Sequence, residues 1–588
     1  MMGAPERRTK ISMASATDRQ EIYAMRHAVY AQELRQHPAN TAEALSDALD
    51  EFNEYVVAHV DGCLAGFISI TPPGRRYSVE KYVQRADLPV VFDDGLYELR
   101  VLTVASEHRS SRLAATLMYS AFRWAEEQGA RHIIAMGRTE VMSLYLKHGM
   151  RLIGRQVKSG AVTFELLETE IAVLRRFAER HHAFYTRLRN EVSWEMDIPF
   201  FKTACCFHGG AFFEQIGEGF QALERRRTVV NADVLDAWFP PAPEVVETLT
   251  EHLEWMMRTS PPTHSQGLRE AIAFRRGVAP DHILPGAGSS ALIYTAFTRW
   301  LCRDSRVLIL DPMYGEYAHV LDNVIGCKVE RFRLPRESGY EVDLERLQQE
   351  MARGYDLVVL VNPNNPTGRH VPRPQMERLL STVPARTRVW IDEAYVEYAG
   401  PDESLERFAA ASENVIVCKT MSKVYALSGM RVGYLCAGLH QLSGLVPFIP
   451  PWAVGLPAQV AAVRALENNG YYAARYSETQ MLRTEMVCWL EEIGIREIVP
   501  GVANFILFHL NPEHPTAADS ARGARERNVH LRNIANMGTH IGSRALRTAV
   551  KDRETNARII EALDGALRRG SKRLELWASP DSHLVVAR

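Results

Sequence analysis

The chain has no CxxC pair, no internal repeat and no low-complexity tract. Its eight cysteines, at positions 63, 205, 206, 302, 327, 418, 436 and 488, are scattered over 588 residues. That spacing excludes a disulfide scaffold and the usual zinc modules. Cys205, Cys206 and His208 stand close together. Adjacent cysteines do not easily share one tetrahedral ion, so reduced thiols are expected and no metal. An excess of either charge is also missing. With 69 Lys and Arg against 71 Asp and Glu, the net charge is −2, which gives no electrostatic footprint for nucleic acid. Met1–Lys10 is polar and basic, without the apolar stretch of a secretory leader. One uncharged run, Leu442–Val463, has the length of a membrane span, but Pro447, Pro450, Pro451 and Pro457 interrupt it. It reads as a buried segment beside an active site, in a cytoplasmic protein without a membrane partner.

What is present is ordinary globular material, 46% apolar and 24% charged, in a length that allows two to four domains. Residues 16–168 mix helical and strand patterns. Arg19–Ala31 has helical spacing, and Tyr55–His59 and Leu64–Ser69 read as strands joined at Asp61-Gly62, a hairpin turn pair. Leu99–Val104, Ile133–Met136 and Thr163–Leu167 are further strands, and Leu113–Gln128 is an amphipathic helix stopped by Gly129. Glu168–Asn190 reads as one charged helix. The aromatic-rich residues that follow, Phe200, Phe201, Phe207, Phe212, Phe213 and Phe220 among them, are too apolar for a flexible linker. They are expected to pack between domains or to cover an active-site mouth. From Val229 strands such as Arg306–Leu310, Leu357–Val361, Arg388–Ile391 and Val415–Cys418 alternate with helices, the pattern of an α/β domain with a mainly parallel sheet. The expected division is 1–168, a connecting segment 169–228, a main domain 229–570, and a loosely attached tail 571–588.

Four stretches of the main domain carry chemistry. Pro285-Gly-Ala-Gly-Ser-Ser290 precedes a helical run, and small residues there let backbone amides approach a phosphate. Val361-Asn-Pro-Asn-Asn-Pro-Thr-Gly368 leaves a buried strand through two rigid Asn-Pro steps. Val389-Trp-Ile-Asp-Glu-Ala-Tyr395 ends a strand on Asp392, which in an open α/β sheet faces the ligand crevice. Thr420-Met-Ser-Lys423 follows another strand, with Arg431 eight residues on.

This ordered set resembles the fold-type I, class I/II aminotransferases over residues 229–569. Within them it is similar to histidinol-phosphate aminotransferases and threonine-phosphate decarboxylases, as is Ala545-Leu-Arg-Thr-Ala-Val-Lys-Asp-Arg-Glu-Thr-Asn556. The resemblance implies pyridoxal 5′-phosphate as cofactor, a small carboxy-terminal subdomain, and a homodimer with active sites at the subunit interface. It makes Lys423 the lysine that forms an imine with the cofactor and shuttles the α-proton. Asp392 would keep the pyridine nitrogen protonated, and Asn365 and Tyr395 would hydrogen-bond the ring oxygen. Tyr314 would stack on the ring, and Ser289, Ser290, Thr420, Ser422 and Arg431 would hold the phosphate. Arg547 would grip a substrate carboxylate or phosphate as a bidentate fork. Two stretches depart from the family pattern. Its asparagine-rich opening is replaced by Asn231-Ala-Asp-Val-Leu-Asp-Ala-Trp-Phe-Pro-Pro-Ala-Pro243. A tyrosine that relatives place before a proline is absent from Arg258-Thr-Ser-Pro-Pro-Thr263, where Ser260 stands as a partial substitute.

The amino-terminal stretch, residues 16–167, resembles the GNAT acyltransferase fold. Ile22-Tyr-Ala-Met-Arg-His-Ala-Val-Tyr30 and Glu98-Leu-Arg100 are similar to its acyl-homoserine-lactone and N-acyl-amino-acid synthase branch. The pyrophosphate-holding signature is met by Arg109-Ser-Ser-Arg-Leu-Ala114, with Arg112 where glycine is usual. Tyr145-Leu-Lys-His-Gly149 makes Tyr145 a candidate general acid. Acyl-CoA or an acyl-carrier protein would be its co-substrate; a non-catalytic sensor is the other reading. The combined expectation is an α+β acyltransferase-like domain fused to an α/β pyridoxal-phosphate enzyme. That enzyme would transaminate a small amino compound, bearing a carboxylate or phosphate, against a 2-oxo acid. The alternative is α-decarboxylation, which the same cofactor residues serve. A transcriptional regulator built on the same fold would need a basic helix-turn-helix ahead of it, and residues 1–228 contain none.

Overall fold

A computed structural model describes residues 9–109, 111–201 and 209–577, with backbone alone for 569–577. The grouping of Cys205, Cys206 and His208 lies outside the described residues. The chain divides into two compact units, Met1–Thr203 and Ala204–Arg588.

In the first unit the strands are β1 (Thr9–Met13), β2 (Glu54–Val60), β3 (Cys63–Thr71), β4 (Leu96–Val104), β5 (His132–Arg138), β6 (Arg151–Ser159), β7 (Val162–Glu170) and β8 (Val192–Trp194). They form one sheet in the order β6-β7-β5-β4-β3-β2-β1-β8. The β2–β3 hairpin turns on Asp61 and Gly62, both at positive φ (52° and 84°), the geometry of a two-residue turn matched to strand twist. Helix α1 (Ala16–Arg26) starts from a capping box between Ser15 and Asp18 and continues into a wider turn over His27–Glu33. Helix α2 (Leu113–Glu127) buries Leu117, Ala121 and Ala125 against the sheet. Strands β4 and β5 pair in parallel over Leu96–Leu99 and His132–Ala135. Beyond that β4 is bulged, with Val101 at φ 45°, and the register with β5 is not continued. Helix α3 (Met142–Leu146) follows β5.

The stretch expected as one helix after residue 168 is two, α4 (Ile171–Arg180) and α5 (His182–Glu191), broken where His181 leaves helical geometry at φ −104°, ψ 26°. The break lets Leu174 from one helix and Tyr185 and Leu188 from the other reach the same core. Strand β8 then adds in parallel to β1, and Phe200 packs on Tyr119 and Trp194, each with ring centroids 4.8 Å apart. This part of the aromatic segment completes the first unit, which therefore runs past the boundary expected at residue 168.

The second unit's strands are β9 (Val230–Asn231), β10 (Ile283–Gly286), β11 (Arg306–Asp311), β12 (Lys328–Arg333), β13 (Leu357–Val361), β14 (Arg388–Asp392), β15 (Val415–Thr420), β16 (Gly433–Ala437), β17 (Glu497–Ile498), β18 (Phe505–His509), β19 (Val529–His530), β20 (Arg532–Asn533) and β21 (Ala545–Ala549). The large sheet has the order β10-β16-β15-β14-β13-β11-β12, parallel apart from β16. Leu357–Val361 is buried along its whole length, as a strand covered on both faces should be. A smaller antiparallel sheet, β17-β18-β21-β20, has its own core. Residues 209–228 lie against this part through Gln215, which meets His530 at 2.9 Å and the carbonyl of Arg525 at 3.4 Å.

The uncharged run Leu442–Val463 is not uniformly buried. Its second half belongs to helix Leu456–Glu467, whose Ala458, Ala461 and Ala462 are inside. Its proline-rich first half lies at the surface, with Val446, Phe448 and Trp452 about half exposed. The last helix, Arg553–Trp577, runs on past residue 570. Among the described residues no helix is long and apolar enough to cross a membrane, and no cluster of His, Cys, Asp and Glu could hold a metal ion.

Candidate active site

The carboxyl ends of β13, β14 and β15 bring the loop after Val361, Asp392 and Lys423 to one edge of the large sheet. Asp392 is 5% exposed. It accepts hydrogen bonds from Tyr317 Oη at 2.7 Å and the Ala394 amide at 3.0 Å. Burial raises its carboxyl to about 6 against the pull of those donors. Trp390 Nε1 in turn donates to Tyr317 Oη at 2.9 Å, fixing the phenol. Lys423 Nζ makes an ion pair with Asp236 Oδ1 at 2.8 Å, and Ser428 Oγ donates to the same oxygen at 2.6 Å. Burial raises the Asp236 carboxyl, but Lys423, Ser428 and Lys551 outweigh it and leave the group below its usual value. Lys551 is nine-tenths buried and donates to the Asp236 carbonyl at 3.0 Å. Burial brings its ammonium down to about 8.

Beside this lies a cradle of small and hydroxyl-bearing residues. Gly288 has φ 86°, and a Cβ there would come within 2.7 Å of Arg431 Nη2. A Cβ on Gly433 would meet the Ser289 amide at 2.8 Å. The helix Ser289–Trp300 therefore opens against bare backbone, and no side chain caps it. Thr420 Oγ1 donates to Ser422 Oγ at 2.9 Å, and Arg431 Nη1 to the Ser428 carbonyl at 3.1 Å. Ser290 and Tyr314 are tied differently: their hydroxyls both donate to Glu316 Oε2, at 2.9 and 2.8 Å.

Arg547, on β21, is 5% exposed and donates to Asn365 Oδ1 at 2.6 Å and to the Asp233 carbonyl at 2.7 Å. Its guanidinium lies 5.6 Å from the Phe505 ring centroid, and Tyr395 meets that ring edge-on at 5.2 Å. Burial lowers Arg547 to about 10 and raises the Tyr395 phenol. The loop Asn362–Gly368 holds cis bonds before Pro363 and Pro366. Its Asn364 Nδ2 donates to the Pro312 carbonyl at 3.1 Å, joining it to the Tyr314 stretch. Asp236, Asp233, Tyr317, Glu316 and Lys551 escape a reading by motif. Asp233 and Asp236 fall in the opening stretch that departs from the family pattern, which is the signal that could have found them.

In the first unit Tyr145 is half-buried with its ring against Gly137 of β5, where a Cβ would approach Tyr145 Cε2 to 2.8 Å. Burial, with the nearby Tyr30 phenol adding to it, raises the Tyr145 phenol well above its usual range, so it stays protonated. Tyr30 Oη lies 3.0 Å from Thr103 Oγ1 on the bulged end of β4. The two arginines of the Arg109–Ala114 stretch both engage carboxylates, Arg109 with Glu33 and Arg112 with Glu191. Glu98 and Arg100 do not pair with each other. Glu98 accepts from the amides of Ser78 (2.6 Å) and Val79 (3.1 Å). Arg100 joins Asp47, which also meets Arg26. A small, mainly apolar cavity of about 30 Å³ lies among Leu99, Met118, Phe122, Ile133, Phe177 and Tyr185.

Residues 231–563 match the model for aminotransferase class I and II. The chain belongs to that family. Residues 19–150 match the acetyltransferase (GNAT) family. A histidinol-phosphate aminotransferase of Rhodopseudomonas palustris (strain BisB18) is 28% identical over 351 residues, 58% of this chain and 92% of the relative. A histidinol-phosphate aminotransferase from Sinorhizobium meliloti, solved in complex with pyridoxal-5′-phosphate, shares the fold at a TM-score of 0.53. It is 21% identical, over 62% of this chain and 99% of that one. An L-threonine-O-3-phosphate decarboxylase from Porphyromonas gingivalis does so at 0.51, with 24% identity over 59% and 100%. The fold-type I aminotransferase architecture, with an amino-terminal GNAT domain, is thus that of this chain.

The class I/II cofactor fits the residues present. The cleared glycines and uncapped helix start suit a phosphate. A buried acid raised to about 6 suits a cationic ring nitrogen, which would hold it ionised. Lys423 supplies a primary amine at the same edge of the sheet.

Proposed function

We propose that residues 204–588 transaminate a small amino compound bearing a carboxylate or phosphate, and that residues 1–203 transfer an acyl group to an amine. The observation that carries the first part is the joint placement of Lys423, paired to Asp236 at 2.8 Å, and buried Asp392 at neighbouring strand ends.

In this reading Ser289, Thr420, Ser422 and Arg431 hold the phosphate of pyridoxal 5′-phosphate. Ser290 and Tyr314 are positioned through Glu316, and Asp392, held by Tyr317, faces the ring nitrogen. When bound, the cofactor supplies an electron sink for the bond broken at the substrate's α-carbon. Lys423 is the base that takes the α-proton and returns it, and Asp236 with Ser428 holds its nitrogen in place. Asn365 and Tyr395 serve the ring oxygen, and Arg547 serves the substrate anion. The amino group leaves the donor, whose carbon becomes a carbonyl, and is delivered to a 2-oxo acid that becomes an amino acid. A second copy of the chain is the expected partner. Phe274, Met257 and Trp255, exposed at 92%, 75% and 51%, are large apolar side chains that a homodimer would cover.

For the first unit, the protonated Tyr145 phenol at the end of the parted strands β4 and β5 supports a general acid. The acetyltransferase-family match over residues 19–150 supports acyl-CoA or an acyl-carrier protein as the acyl donor.

Mass spectrometry of products from an amino-acid panel, with and without 2-oxoglutarate, tests the aminotransferase reading. Oxo-acid-dependent conversion of the amine is expected; carbon dioxide release without oxo-acid consumption would replace it with decarboxylation.

A further inference from the structure

Behind the strand ends that carry Asp392 and Lys423, three acids and two bases are closed away from water. Lys419, the residue before Thr420 on β15, is 1% exposed, and so is Glu393, the residue after Asp392. Lys419 Nζ meets Glu397 Oε1 at 2.7 Å, Glu393 Oε2 at 3.6 Å and Glu406 Oε2 at 3.8 Å. Arg276, the last residue of helix Gln266–Arg276, reaches Glu397 Oε1 at 2.8 Å and Glu406 Oε2 at 3.3 Å. The cluster fastens the segment after β14 to β15, and Tyr398 of that segment donates to the Lys423 carbonyl at 2.9 Å. Neighbours on a strand point to opposite faces, so Lys419 holds the strand from the side opposite Thr420.

Three carboxylates against two cations leave one negative charge too many for a dry interior, and the hydrogen bonds show where it is cancelled. Glu397 takes Lys419 and Arg276 on one oxygen. Burial raises its carboxyl, but those two cations outweigh it and keep the group below its usual value. Ser404 stands between the other two acids, its Oγ 2.6 Å from Glu393 Oε2 and 2.9 Å from Glu406 Oε2. A hydroxyl has one proton to give. It cannot serve two carboxylates, so one of the acids is itself the donor. Glu406 is the better anion, since Tyr434 Oη donates to its Oε1 at 2.8 Å and Arg276 is beside it. Glu393 has the Leu405 amide at 2.8 Å and Lys419 at 3.6 Å. Ser404 Oγ also accepts from the Glu406 amide at 3.3 Å, so a protonated Glu393 uses the hydroxyl's proton and both its lone pairs. Burial raises Glu393 to about 7, with Lys419 opposing it and Glu406 adding to it. Tyr434, Cys436 and Tyr425 close the remaining sides, and burial raises all three. Asp392 is turned to Tyr317.

We propose that Glu393, Glu406 and Lys419 are positioning residues behind the cofactor site, locked by one proton that Glu393 donates to Ser404 while Ser404 donates its own to Glu406. The folded chain keeps a proton that the unfolded chain gives up, so this contribution to stability is lost as pH rises from the ordinary glutamate range through about 7. The hold on Asp392 and Lys423 loosens with it. That consequence rests on the aminotransferase reading; the proton itself does not.

Isotopically labelled glutamate in the full chain makes the acid visible as the infrared band of a protonated carboxyl. The band is expected at about pH 6, should fade toward about pH 8.5, and should be missing from Glu393→Gln. Its absence from wild type overturns the proposal whether or not the variant folds, and so does its persistence in Glu393→Gln. Retention of pyridoxal phosphate on dialysis reads the positioning role. Wild type and Glu393→Gln should match at about pH 6, and at about pH 8.5 the variant, whose amide donates to Ser404 at either pH, should hold the cofactor about tenfold tighter. Glu406→Gln, which removes the anion facing Arg276, should weaken retention at both pH values; if it copies Glu393→Gln instead, the assignment of the proton is overturned. Borohydride treatment separates the two levels. Failure to fix the cofactor at Lys423 overturns the cofactor reading and leaves the infrared band to decide the proton; fixation with equal retention at both pH values overturns the positioning role.

Discussion

The helices that begin at Ser289 and at Leu113 both open where a phosphate is expected, and they are prepared very differently. Before Ser289 stand Gly286 and Gly288, with Gly433 beside them, so that backbone is reachable. Thr420, Ser422 and Arg431 stand around the opening. Before Leu113 stands Arg112, whose side chain turns to Glu191, and Arg109 is held by Glu33. A helix terminus gives the right polarity in both places. It becomes an anion site when side chains are cleared from it and donors converge on it.

The largest expected effect is at the first of these sites. Lys423→Ala should abolish both turnover and the borohydride-fixed cofactor adduct, read by mass spectrometry; labelling of another lysine would reassign the site. Asp392→Asn should keep the cofactor bound but slow turnover by on the order of a thousandfold, since an amide cannot hold a cationic ring nitrogen. Steady-state rates near wild type would remove Asp392 from that role.

A buried base sharpens the contrast between the units. His509 is 1% exposed with Tyr340 Oη 2.8 Å from its Nε2, and burial lowers it to about 4. Between the ordinary histidine value and about 4 the unfolded chain takes up a proton that the folded chain refuses, so this group's stability contribution falls as pH falls through that window. Relative to His509→Gln, wild type should lose about 3 kcal/mol between pH 7 and pH 4. Denaturant unfolding at both pH values measures it, and the other titrating groups cancel in the difference. In the first unit Asp47 changes stability in the same direction, but from the opposite cause. Burial raises it, but Arg100 and Arg26 more than reverse that and hold it below the usual carboxylate range. Its contribution is present above the ordinary aspartate value and goes at lower pH.

Two smaller effects test the comparison at the helix starts themselves. Gly288→Ala forces a side chain into φ 86° and against Arg431, and should weaken cofactor retention roughly tenfold, read by dialysis and absorbance. Arg112→Gly clears a side chain from the helix start at Leu113 at the cost of an exposed ion pair, which contributes little. Acyl-CoA affinity should tighten by about threefold in calorimetry; weaker binding would mean that Arg112 itself serves the ligand.

Much of this was legible in order along the chain. The Asp61-Gly62 hairpin, the stop at Gly129 and the strands ending at Asp392 and before Lys423 follow from turn chemistry and periodicity, which are local. The split at His181 was hidden because both flanking helices carry apolar residues at helical spacing. The half-exposed Val446, Phe448 and Trp452 looked buried because apolar composition does not say which surface a side chain meets. Asp236 and Lys551 were hidden for a related reason: they act on Lys423 from 187 residues before it and well over a hundred after it, and no motif spans such distances.

The sequence by itself pointed to the family, to the order of its motifs and to Lys423, Asp392 and Arg547 as the residues proposed for its chemistry. Those depend on residue type and on position relative to strand ends. Tertiary structure decided which charges face one another: Asp236 on Lys423, Arg532 opposite Arg547, Asp233 beside both, and Arg112 turned to Glu191. Electrostatic interaction depends on separation in space and on exclusion of water, and neither quantity is written in the spacing of residues along a chain.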